Sequence, residues 1–273
     1  MYNFQRFARF FEPPEPFSIL ELVNTGTLDL HLAAILWLMM EQRSSVIVGA
    51  GPSYSGKTTT LNALLDLLPP DMKRIYLYGD YHDFSFVKTA VPSETYMVAE
   101  EFNTHLNYVW GQTAITAFTL LQEGYSMGGT MHARTPQEVV YLFHKYLGLS
   151  LPLISRIDAV VNINVTWDRD YRSEPLRQIE SVGLLLPGDE ESMSLGVVAV
   201  REEGEKNLRY ADSTQLHRLF SEKYNVDIPD MEKEITNRKQ YLEQLMIDMR
   251  TSHDEVREAI VNFYTTKKRD YNH

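Results

Sequence analysis

Two glycines, four small hydroxyl side chains and a lysine fall together in Gly51-Pro52-Ser53-Tyr54-Ser55-Gly56-Lys57-Thr58-Thr59. Glycine lets a backbone close tightly with its N–H groups turned inward, and a helix that starts where such a loop ends adds the positive end of its dipole. The chemistry this suits is the cradling of a phosphate chain. In a loop of this spacing Lys57 reaches the β- and γ-phosphates and the Thr58 hydroxyl holds Mg²⁺. Gly51, Ser53, Ser55, Gly56, Lys57, Thr58 and Thr59 are therefore the candidate nucleotide-binding residues, with ATP and Mg²⁺ as the expected ligands.

Hydrolysis asks in addition for acids at the ends of neighbouring strands, to support the metal and orient water. Tyr96-Met97-Val98-Ala99-Glu100-Glu101 is an apolar strand ending in acid, and Glu100 is the candidate general base or water-positioning group. Arg74-Ile75-Tyr76-Leu77-Tyr78-Gly79-Asp80 ends the same way. Asp80 is a candidate metal ligand there, although Gly79-Asp80 also suits a plain turn. His132 follows a third strand, where an imidazole can sense the γ-phosphate, and Arg134 stands two residues on as a candidate phosphate contact.

These groups need a scaffold, and hydrophobic periodicity supplies one. Val46-Ile47-Val48 reads as a buried strand before the loop, and Thr60 to Leu68 as a helix with Leu61, Leu64, Leu65 and Leu68 on one face. Strands at 74–78, 96–99, 126–131 and 159–165 alternate with helices at 112–123 and 136–147, the pattern of a mainly parallel sheet covered by helices. Ahead of them Ser18-Ile19-Leu20-Glu21 is a capping box, and a helix follows over 29–43. Residues 176–200 read as hairpin strands turning at Pro187-Gly188-Asp189. Helices at 213–224, 230–248 and 252–264 complete the chain. The expected fold is α/β, with a lead-in over 1–16 bearing Phe4, Phe7, Phe10 and Phe11, a P-loop core over 17–205 and a C-terminal helical appendage over 206–273.

The 273 residues are 44% hydrophobic, which suits one substantial core with a smaller unit beside it. A formal charge of -11 leaves no basic surplus for a nucleic-acid backbone, so nucleic acid is not an expected partner. The absence of cysteine removes disulfides, thiolate metal sites and cysteine catalysis together. The N-terminus lacks a signal-peptide core, and the longest apolar run, Leu32 to Met40, is too short to span a bilayer. A cytoplasmic protein, able to work at the inner face of a membrane, is expected.

In order along the chain, the residues resemble the secretion and type IV pilus ATPases, most closely their archaeal and tight-adherence branches. The likeness starts at Phe17-Ser18-Ile19-Leu20-Glu21-Leu22-Val23-Asn24-Thr25-Gly26-Thr27 and continues through the Gly51–Thr59 loop as Walker A. Gly124-Tyr125-Ser126-Met127-Gly128-Gly129-Thr130-Met131-His132-Ala133-Arg134-Thr135 is similar to the histidine box, and Leu151 to Val160 to the segment after it. The resemblance implies a RecA-like ATPase core, a hexameric ring, and cyclic hydrolysis that moves a membrane platform protein of a pilus or secretion machine. It further implies that Glu100 is the Walker B glutamate, Asp80 the aspartate-box acid and His132 the histidine-box imidazole.

Departures accompany the likeness. Gly79 stands where the family's aspartate box usually has a second acid, and Phe102 where an arginine usually follows Walker B. The stretch from Asp80 to Glu100 is short, and no large N-terminal domain precedes residue 17, so weakened ring formation is expected. Arginines that reach a transferring phosphoryl group supply ~10³ to 10⁵ in rate. Two readings therefore stand side by side, a motor ATPase and a nucleotide-binding switch with little turnover. A small-molecule kinase is disfavoured, because no arginine-rich lid is found.

Overall fold

A computed structural model of the chain describes residues 16–105, 107–167, 175–188, 192–202, 205 and 207–270. The aromatic lead-in and Asp189 of the expected turn lie outside the described residues. Helix α1 (Ile19–Asn24) opens on the reciprocal capping box, with the Ser18 hydroxyl accepting from the Glu21 amide and the Glu21 carboxylate from the Ser18 amide. Helix α2 (Leu30–Glu41) is capped by the Asp29 carboxylate and buried from Leu32 to Met40. A helix apolar on every side must be covered on every side.

The sheet strands are β1 (Val46–Gly49), β2 (Lys73–Leu77), β3 (Thr95–Phe102), β4 (Ser126–Met131), β5 (Ala159–Thr166), β6 (Leu176–Leu186), β7 (Ser194–Arg201) and β8 (Leu208–Tyr210), in the spatial order β2-β3-β4-β1-β5-β6-β7-β8. Neighbours from β2 to β5 run parallel, and β5 to β8 pair antiparallel. The remaining helices are α3 (Lys57–Leu65), α4 (Gly111–Gln122), α5 (Pro136–Leu147), α6 (Leu151–Ile154), α7 (Ser213–Tyr224), α8 (Met231–Ile247) and α9 (His253–Asp270). Two 3-10 turns, Ser85–Lys88 and Pro92–Glu94, occupy the short stretch between β2 and β3. The α/β architecture with a mainly parallel sheet expected from the sequence is the one observed.

Alternation along the strands splits the interior in two. Val46, Val48, Tyr96, Val98, Ala159 and Val161 face a core shared with α1, α2, α3 and α7 to α9. Ile47, Met97, Ala99 and Val160 face the other, built with α4, α5 and α6. The C-terminal helices expected as an appendage therefore close the first core. Leu216, Phe220, Ile235, Leu242, Ile260 and Tyr264 lie in one buried cluster with Leu61 of α3. Arg238 is fully buried against α2, its guanidinium donating to the Glu41 and Glu234 carboxylates and stacked 5.6 Å over Trp37. Most of their other charged residues lie on the outer faces, while their apolar stripes turn inward onto this core.

Candidate phosphate-loop site

The site lies beyond the carboxyl end of β1, where the chain leaves for α3 on one face of the sheet while the β4–β5 crossover runs over the other. Such a switch point leaves a crevice between the loops. β1 is flanked there by the ends of β4 and β5, with Gly49 level with Met131 and Asn162. A Cβ on Gly49 would come within 2.8 Å of both the Ala133 carbonyl oxygen and the Asn162 amide nitrogen, so glycine is required for this close approach. Tyr54 (φ 57) and Gly56 (φ 86) take left-handed conformations, and α3 begins at Lys57 directly after. This start is three residues earlier than the periodicity alone gives, and it puts Lys57, Thr58 and Thr59 in the first turn, where helix N–H groups are unpaired.

Lys57 is 6% exposed. Burial pushes its ammonium below the ordinary lysine value, and the charge of Glu101 works in the opposite direction. Its Nζ lies 3.4 Å from His132 Nε2, and His132 Nδ1 lies 3.0 Å from the Gly51 carbonyl oxygen. A carbonyl only accepts and an ammonium only donates, so one tautomer satisfies both contacts, with the proton on Nδ1 and the lone pair of Nε2 toward Lys57. Asn162 of β5 donates to the Ala133 carbonyl at 3.2 Å and steadies the segment that carries the imidazole.

Glu101, which the sequence reading passed over, faces this pair. Its Oε1 is 3.5 Å from His132 Nε2 and accepts from Asn103 at 2.8 Å. The reason is a register shift. Ala99 pairs with Gly129, but Phe102 rather than Glu101 pairs with Met131, so β3 carries one extra residue at its end. Ala99 and Phe102 both point into the second core, and the two acids between them are turned away from it. Glu100 is exposed, and its carbonyl accepts from the Thr130 hydroxyl at 2.6 Å. A regular strand would have aimed Glu100 alone at the loop face, which is how period-two alternation reads.

Two arginines reach the loop. Arg134 lies across Gly51, where an added Cβ would meet its Nε at 2.8 Å, and its backbone amide donates to Glu138. Arg177 of β6 donates from Nε to the Tyr54 carbonyl at 3.1 Å, with its Cδ 3.3 Å from where a Cβ on Gly56 would stand. Nothing local in the sequence marks Arg177. It arrives because it pairs with Val165, three residues past Asn162 and so roughly 10 Å beyond the end of β1, at the height of the loop.

Asp80 stands elsewhere. Gly79 (φ 63) turns the chain at the end of β2, three strands from β1 and so roughly 14 Å away. The Asp80 carbonyl accepts from the Thr113 amide, its carboxylate lies beside Gly111, and its Oδ1 is buried without a partner. No hydrogen bond or ion pair joins it to Lys57, Glu101 or His132. Ser53 and Thr58 are exposed at the mouth of the loop.

The residues present fit a triphosphate. The Ser55 hydroxyl is buried in the loop without a hydrogen-bond partner, beside a buried cation and a helix start. Buried polar atoms are seldom left unpaired, and phosphate oxygens are the complement to a hydroxyl, amides and an ammonium set this way. Magnesium in such sites is held by one or two protein groups together with substrate phosphates, a role open to the Thr58 hydroxyl.

Two solved structures similar to the chain are both ATPases. The chain is similar to the VirB11 ATPase from the Brucella suis type IV secretion system in complex with sulphate, at 18% identity and a TM-score of 0.38, covering 66% of this chain and 62% of that one. It is also similar to the Legionella pneumophila ATPase DotB, at 10% identity and a TM-score of 0.40, covering 91% and 66%. No family model matches the chain. Two uncharacterized proteins of Methanocaldococcus jannaschii share sequence with it. MJ0900 is 43% identical over 58 residues, which are 21% of this chain and 10% of that protein. MJ1287 is 27% identical over 139 residues, 44% of this chain and 51% of that protein. The chain thus spans a tenth and about half of the curated relatives it matches.

Proposed function

We propose that this chain is a phosphate-loop ATPase of the secretion and type IV pilus class. The observation that carries the reading is the buried Lys57 ammonium set beside the unpaired Ser55 hydroxyl in a loop that opens a helix. Gly51, Ser53, Ser55, Gly56 and Thr59 line the phosphate cradle, Lys57 binds the β- and γ-phosphates, and Thr58 holds the metal. Bound Mg²⁺ would neutralise charge on the phosphates as the terminal bond breaks. Among the chain's own groups, His132 fixes Lys57 and the Gly51 carbonyl together, Arg134 closes over the loop, and Glu100 orients the attacking water. Asp80 supports the metal only if the β2 end moves inward. Assembly into a ring, and work against a membrane platform protein, follow from the ordered sequence motifs; among the described residues no helix is long and apolar enough to cross a membrane.

A nucleotide-dependent switch with little turnover is favoured by one observation. Phe102, at the position where the family resemblance calls for arginine, is 3% exposed and packed on Phe143, so no cation can replace it without refolding the strand end. Phosphate release from Mg·ATP, followed across protein concentration with mass determined in parallel, separates the two. A motor releases phosphate faster on assembly and loses the activity in Lys57→Ala. Binding of Mg·ATP with release no greater than in Lys57→Ala leaves the switch, and no binding at all overturns both.

A further inference from the structure

We infer that the end of the sheet opposite the phosphate loop holds a monovalent-cation site, which this chain fills with its own side chain, the Lys223 ammonium in the last turn of α7. Four oxygens surround that ammonium. Its Nζ lies 2.5, 2.8 and 3.1 Å from the main-chain carbonyl oxygens of Ser155, Leu185 and Ile157, and 3.2 Å from Asp158 Oδ1. The Lys223 side chain is 4% exposed. Carbonyls and a carboxylate only accept, so the group that suits them carries protons and no lone pair. Carbonyl oxygens are also the ligands that replace the hydration shell of a potassium ion.

The cage is built without help from the lysine. The Ser155 amide donates to the Leu151 carbonyl at 2.8 Å, the Ile157 amide to the Ile154 carbonyl at 2.9 Å and the Leu185 amide to the Asp158 carbonyl at 2.9 Å. Asp158 Oδ2 accepts from the Ser45 amide, just ahead of β1, at 2.6 Å. Each oxygen is therefore fixed by a bond that survives truncation of Lys223, and truncation leaves buried acceptors and a carboxylate without their cation. What such a gap selects is a singly charged ion of ammonium's size. Helix α7 is held to the sheet as a tethered ligand of that kind.

Urea denaturation of the full chain tests this at constant ionic strength, in potassium, ammonium, lithium or choline chloride. Lys223→Ala lowers the midpoint in choline, and potassium or ammonium restores it. Above the dissociation constant of the ion, the variant's folding equilibrium constant rises roughly tenfold for each tenfold increase in cation. Lithium, tightly hydrated, and choline, too bulky, give no such rise. Lys223→Met, whose side chain refills the space without a charge, gains nothing from potassium, and neither does the native chain. The proposal is overturned if Lys223→Ala responds alike to every salt, or if Lys223→Met or the native chain shows the same potassium response. Should Lys223→Ala be unfolded in choline without urea, refolding on transfer to potassium supports the site, and failure to refold there overturns it. No outcome touches the nucleotide reading, which concerns the other end of the strands.

Discussion

The ring of Phe102 fills the space above Gly129: a Cβ at residue 129 would come within 2.4 Å of the ring edge. This contact between two adjacent strands sets the parity of the end of β3. With Phe102 held in the second core beside Phe118 and Phe143, both acids before it turn from that core, and Glu101 meets His132.

Gly129→Ala should therefore act at a distance. Overpacking the Phe102 site costs about 1–3 kcal/mol, read as a lowered urea midpoint with an unchanged slope. The displaced ring also slackens the bulge, so the approach of Glu101 to His132 loosens with it. A variant as stable as the native chain would show that the ring does not hold the strand end.

Arg177 holds the tip of the phosphate loop through the Tyr54 carbonyl, at a left-handed residue that is not glycine. Arg177→Ala removes the Nε hydrogen bond to the Tyr54 carbonyl, and a loss of about 1 kcal/mol from that contact corresponds to roughly fivefold weaker ATP binding. Because the contact orders the loop before the chemistry, KM or Kd rises while any kcat at saturation stays level. Arg177→Lys recovers part of the affinity. A fall in kcat with unchanged KM would instead place Arg177 at the transferring phosphate.

Acid should loosen the α2–α8–α9 contact first. Burial would raise the Glu234 carboxyl, but hydrogen bonds from Arg238 and Lys267 and the charges of both hold it below the ordinary glutamate value. A depressed carboxyl stabilises the fold at every pH above its unfolded value of about 4.3, and that contribution fades as pH falls through the lower folded value. Denaturation midpoints measured from neutral pH downward should drop through this window. Glu234→Gln lowers the neutral-pH midpoint and flattens the acid limb, and an acid limb as steep as the native one would assign the loss to other groups.

Sequence patterns of short range translated directly into structure. The Ser18–Glu21 box and the apolar runs of β1, β3 and β4 each depend on neighbours within a few residues, and each stands where the pattern put it. The apolar stripes of α7, α8 and α9 were equally legible, but not what they cover. Only the fold showed that Trp37 and α2 lie beneath them, with Arg238 sealed between two acids and two aromatic rings.

The Gly51–Thr59 loop was legible in the sequence alone, because its glycines, its hydroxyls and Lys57 all fall inside one nine-residue span. Tertiary structure decided what surrounds it. The strand order β2-β3-β4-β1-β5 takes Asp80 to the outer edge and sets His132 next to Lys57, while sheet pairing brings Arg177 over the loop from more than a hundred residues away. One extra residue in β3 exchanged the acid that meets the imidazole, since a bulge reverses side-chain parity and is fixed by how Phe102 packs on another strand. Such pairings are non-local, so no window of the sequence contains them.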